Sequence, residues 1–122
     1  MKTPSIQTRI EKVMRSFHAE NRWECIQLYS ADGLLMAGQG KSPVYNHDHL
    51  LEFSFSLIQT AELLGPSISD KEIVIRGTEK RRLVFQFFEA WGETVVLAAV
   101  LNGRKGYRRA MLKLVKLIQN IS

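Results

Sequence analysis

Residues 83–101 read LVFQFFEAWGETVVLAAVL. Gly92 divides the stretch into two apolar runs, each of strand length, with a turn between them. A strand with one wet face alternates apolar and polar residues. Val95 to Leu101 is apolar at every position, and Leu83 to Phe88 is interrupted only by Gln86. Both faces of these strands must therefore be covered, which calls for helices on both sides of a sheet.

The same reading extends outward from this core. Gly103 ends the last strand (Thr94 to Leu101), and Lys105 to Ile121 reads as a helix with Tyr107, Met111, Leu114, Val115 and Ile118 on one side. Upstream, Glu72 to Arg76 is a strand followed by a turn around Gly77. Before it, a helix capped by Asn46 or Asp48 runs to about Leu64, where Gly65-Pro66 stops it. Trp23 to Ser30 is a strand, with Trp23, Cys25, Gln27 and Tyr29 on one parity. Asp32-Gly33 turns the chain into a return strand, Leu34 to Ala37, and Gly38, Gly40, Ser42 and Pro43 then form a loop. Ser5 to Glu20 is a first helix, with Ile6, Ile10, Val13, Met14 and Phe17 at helical spacing. The order is α-β-β-α-β-β-β-α in one α+β domain spanning 1–122, the size of a single core.

The middle helix is more apolar than one neighbour requires. Leu50, Leu51, Phe53, Phe55, Leu57, Ile58, Ala61 and Leu64 cover roughly 200° of its surface, whereas one sheet needs a stripe of ~100°. A second copy of the same helix could cover the surplus.

Composition narrows the class. Hydrophobic residues are 45% and charged residues 24%, an ordinary globular balance. Cys25 is the only cysteine, so neither an internal disulfide nor a thiolate zinc cage is available, and a reducing, cytoplasmic setting is expected. The N-terminus has no signal-peptide core, and the longest apolar run falls short of the roughly 20 residues a membrane span needs. The net charge is +5, and all of it lies in residues 62–122. Such asymmetry can point to an acidic partner.

Candidate chemistry fails at the level of spacing. "AGQGKSP" (37–43) ends in the Gly-Lys-Ser of a nucleotide-binding loop, but Leu35 stands where the first glycine belongs and Pro43 follows Ser42 where a helix should begin. His47, Asp48 and His49 are adjacent and diverge on a helix, so capping explains them better than a metal. Cys25 lies mid-strand with no histidine nearby in sequence, which suits a packed side chain rather than a nucleophile. "GRKGYRRAMLKLVK" (103–116) offers Arg104, Lys105, Arg108, Arg109, Lys113 and Lys116, a phosphate-contacting set or the wet face of an amphipathic helix. "EKRR" (79–82) fits a charged hairpin turn. No catalytic constellation, cofactor motif or metal site emerges, so the chain is expected not to be an enzyme.

The element order, the "ADGLLMAG" hairpin, the middle helix ending "ELLG", and the runs "KEIVIRGTEKRRLVFQFF" and "TVVLAAVL" together resemble the roadblock family of dynein light-chain-like domains. The resemblance covers about Ile6 to Ile118. It implies a five-stranded antiparallel sheet with the first and last helices on one face and the middle helix on the other. It also implies a homodimer formed by joining edge strands and stacking middle helices. The candidate interface is then Phe53, Leu57 and Leu64 on the helix, and Glu72, Ile73, Val74, Ile75 and Arg76 on the joining strand. Members of the family serve as platforms or regulators for small GTPases, including bacterial polarity and motility GTPases, and as adaptors on motor or endosomal complexes. The expected function is a scaffold or regulator for a Ras-like GTPase. The alternatives are a nucleic-acid-binding accessory protein using the basic second half, and a small-ligand sensor with a cavity between its layers.

Overall fold

A computed structural model describes residues 5–63 and 72–121, apart from the side chains at 61 and 62. The elements are α1 (Ile6–Asn21), β1 (Cys25–Tyr29), β2 (Leu35–Gly40), α2 (His47–Leu63), β3 (Glu72–Arg76), β4 (Arg81–Ala90), β5 (Glu93–Asn102) and α3 (Arg108–Gln119). The strands form one five-stranded antiparallel sheet in the order β2-β1-β5-β4-β3. The expected α+β order is found in full.

Local chemistry sets the element ends. Ser5 caps α1, its hydroxyl accepting the Thr8 amide at 3.1 Å. Asn46 caps α2, its side-chain oxygen accepting the His49 amide at 2.8 Å. Trp91 and Gly92 take φ of 53° and 77° between the paired residues Ala90 and Glu93. Two left-handed residues give the hairpin a twist that matches its strands.

The central strands bury both faces, as their composition requires. On one face Leu28, Val84, Phe88, Leu97 and Leu101 pack with Ile10, Met14 and Phe17 of α1 and Met111, Leu114 and Ile118 of α3. On the other face Cys25, Tyr29, Phe85, Phe87, Val96 and Val100 pack with Leu50 and Ile58 of α2. Alternation along β4 and β5 sends neighbouring residues to opposite cores.

Four expectations are corrected. Trp23 lies in the α1–α3 core, edge-to-face with Phe17 at 4.8 Å, and not on the Cys25 side. The strand begins only at Cys25, so the period-two rule does not bind Trp23. β2 continues through Gly38 to Gly40, because its backbone pairs with β1 down to Cys25. α3 starts at Arg108 rather than Lys105; its first helical bond runs from the Met111 amide to the carbonyl of the N-cap Tyr107, at 2.8 Å. Arg81 and Arg82 belong to β4 and not to the turn, whose left-handed residues are Glu79 and Lys80.

Candidate docking surfaces

Strand β3 is an edge of the sheet, paired with β4 alone among the described residues. Ile73 and Ile75 are partly buried against the α2 core. Val74 points to the other face, 41% exposed. Glu72 shares the Val74 face, where its carboxylate meets Arg108 at 3.0 Å and accepts a longer bond from the Tyr107 hydroxyl. Arg76 is exposed and stands directly across from Arg82, a like-charge pair within the sheet.

Helix α2 rests on the sheet through Leu50, Ser54 and Ile58, one row at four-residue spacing, all buried. Its flanks remain open. Phe53 is 48% exposed and stacks over Phe85 of β4, with ring centroids 6.2 Å apart. A pocket of about 270 Å³ lies beside it, lined by Tyr45, His49, Leu50 and Leu83 among others. Leu57 is partly buried, and Leu63 is 87% exposed. Phe55, on the opposite flank, lies against Gly33 of the hairpin turn, where a Cβ would meet its ring at 2.8 Å. Part of the surplus apolar surface on each flank therefore has an internal contact, yet Phe53 at 48% and Phe55 at 39% both remain exposed. Leu64 and the Gly65-Pro66 stop lie outside the described residues. Leu63 was missed by sequence reasoning, although it adjoins a candidate and is as apolar.

The motif residues fall into structural roles. Ser42 donates its hydroxyl to Glu24 at 2.8 Å and accepts the amides of Val44 and Tyr45, so the "GKS" segment is the end of β2 and the start of the loop to α2. Gly40 takes φ of 79° and leaves no room for a Cβ, which would strike the Glu24 carbonyl and the His18 ring. Among the described residues, no group of His, Cys, Asp and Glu is placed to hold a metal ion. Burial pushes the Cys25 thiol up to about 11, so the thiolate a nucleophile needs is not populated at neutral pH. Among the described residues, no helix is long and apolar enough to cross a membrane.

Arg81 is a buried charge that the sequence did not announce. Its guanidinium grips the Glu24 carboxylate at 2.8 to 3.0 Å through Nε and Nη2, and reaches Glu79 at 2.7 Å. Burial alone would raise the Glu24 carboxyl. Hydrogen bonds from Arg81 and Ser42, with the charge on Arg81, outweigh it and hold the group below the usual carboxylate range. The pair ties the start of β1 to the β3–β4 turn and so fixes the base of the β3 edge.

Known structures share this fold. Myxococcus xanthus MglB superposes with a TM-score of 0.77 at 16% identity, over 99% of this chain and 92% of that one. The gliding protein MglB of Thermus thermophilus gives 0.69 at 16% identity, over 99% and 93%. A Roadblock/LC7 domain from Streptomyces avermitilis gives 0.64 at 17% identity, over 91% and 92%. No family model matches the sequence, and no curated protein does. Identities this low speak for the architecture alone, and that architecture is the roadblock-like fold.

Proposed function

We propose that this chain is a non-enzymatic homodimeric platform that binds a Ras-like small GTPase in the cytoplasm. The observation that carries the dimer is the apolar β3 edge lying beside the uncovered flank of α2. An open apolar edge is a pairing template, and leaving it free invites aggregation. A two-fold axis at Val74 would lay β3 antiparallel on its copy and set Glu72 of each chain across from Arg76 of the other. That pairing would give Arg76 an opposite charge where its own sheet supplies only Arg82. The same axis would bring the Phe53 and Leu63 flanks of two α2 helices toward each other. The partner class rests on the roadblock resemblance. The platform would act by positioning the GTPase's own groups.

Light scattering at micromolar concentration is expected to give a dimer, and a clean monomer would overturn the first half. Val74→Pro removes an edge N–H and should shift the population toward monomer. A pull-down from nuclease-treated lysate of the native host, with a non-hydrolysable GTP analogue or with GDP, tests the second half. A Ras-like GTPase enriched in one lane is the expected result. A stable dimer that recovers no GTPase in either lane would overturn it.

A further inference from the structure

We propose that the α1–α3 face of the domain binds a single-chain anionic amphiphile, its chain between the helices and its charged head on the loop before α3. This goes beyond the dimeric platform and does not rest on it, because α2 lies on the other face of the sheet.

The tail site is a groove of about 720 Å³ between α1 and α3, with Val13, Phe17, Ala110 and Leu117 as its apolar lining. That volume lies within the range of small-molecule sites. Lys12, Arg109 and Lys113 also line it; long basic side chains can cover an apolar ligand with their stems and keep their charges in water.

The head site adjoins it. A cleft of about 420 Å³ shares Glu20, Asn21 and Gly106 with the groove and adds Arg22, Arg82, Arg104 and Lys105. A further recess of about 350 Å³ carries the cationic lining on to Lys80. Among the described residues, Glu20 is the one acid on the lining of these three spaces. The nearby acids Glu72 and Glu79 are already held by Arg108 and Arg81.

Two features shape the loop as a cradle. Arg82 donates to the carbonyls of Gly103 at 3.0 Å and Lys105 at 2.7 Å, and its guanidinium lies 5.3 Å from the Tyr107 ring centre. This anchors the loop from beneath. Helix α3 then begins at the junction of groove and cleft with no side-chain cap and no acid in its first turn. Its positive dipole end is left without a counter-charge from that turn where the head would sit. Among the described residues, nothing lies within 4 Å of a Cβ placed on Gly103 or Gly106, so that backbone is open to a ligand.

The polarity of the trough selects the class. A nucleic-acid strand or free phosphate would use the cationic end and leave the groove empty. A neutral lipid would leave the cations unmatched.

Trp23 lines the head cleft and packs on Phe17 of the groove, so its fluorescence reports both. The purified protein is titrated, below each critical micelle concentration, with lauroyl lysophosphatidate, lauroyl lysophosphatidylcholine and laurate, and separately with pyrophosphate. Lysophosphatidate is expected to saturate one site about tenfold more tightly than the choline lipid. Laurate binding as tightly would assign a carboxylate head, and weaker laurate binding a phosphate head; both support the site. Arg104→Glu with Lys105→Glu, in an exposed loop, should weaken lysophosphatidate about tenfold or more. Ala110→Phe should block the chain. Equal affinity for the choline lipid would overturn the proposal, as would pyrophosphate binding equally well or binding only with micelles. So would an unchanged affinity in the loop variant, or saturation by an acidic amphipathic peptide with none by the lipids.

Discussion

Glu24 is one residue before β1, yet it organises three segments. It receives Arg81 from the β3–β4 hairpin and Ser42 from the loop before α2. Both members of the pair are largely buried, so removing one charge strands the other. Glu24→Gln is expected to lower the unfolding midpoint by on the order of 10 °C at neutral pH. The effect has a defined pH sense. The folded-state pKa of Glu24 is depressed, so its contribution is present above the unfolded value and lost as pH falls through the folded one. Thermal unfolding of the two proteins should therefore draw together as pH falls below the ordinary carboxylate range and converge only below the depressed folded-state value. A gap that persisted in strong acid would mean that the substituted amide fails by shape and not by charge. Gly40 makes a second residue-scale case. Its left-handed φ of 79° and the contacts a Cβ would meet predict a loss of about 2 kcal/mol or more for Gly40→Ala, measured by urea unfolding. The sequence flagged Gly40 as part of a phosphate-loop remnant. Only the fold shows that the glycine accommodates the Glu24 carbonyl and the His18 ring.

At the scale of elements, β3 explains why the edge is both useful and awkward. Arg76 opposite Arg82 costs the isolated sheet some stability, because like charges face each other across one pair. Arg76→Glu should then act with opposite signs on two observables. The monomer gains up to about 1 kcal/mol from a new Glu–Arg pair. The proposed dimer weakens, because Glu72 of one copy now meets the introduced carboxylate of the other. Sedimentation and denaturant unfolding below the dissociation constant separate the two effects. A dimer that tightened would place the two-fold axis elsewhere. Helix α2 was legible as an over-apolar helix, and its share of exposed Phe53 was not. Periodicity counts apolar residues around a helix. It cannot say that Phe55 leans on a hairpin turn and Phe53 on the Phe85 ring while both stay partly open. The boundary errors have a similar origin. β2 runs to Gly40 because β1 offers backbone partners that far, and α3 waits until Arg108 because Arg82 holds the carbonyls of Gly103 and Lys105.

For the whole molecule, one sheet supports two cores, and the α2 core has fewer helices over it. Joining two copies through β3 would extend that sheet and cover the α2 flank, coupling folding to association. The unfolding midpoint should then rise with protein concentration, by a few degrees for each tenfold increase. A midpoint independent of concentration would fit a stable monomer. The sequence by itself determined the layered α+β plan, since strands apolar on both parities have no stable place except between two layers, and glycine and capping residues mark the turns locally. The tertiary structure decided which residues meet. The Glu24–Arg81 pair spans β1 and β4, and the cationic trough draws Arg22, Arg82 and Arg104 from three segments distant in sequence. No local pattern encodes such meetings, because they depend on strand register and helix placement, which are fixed only when the whole core packs.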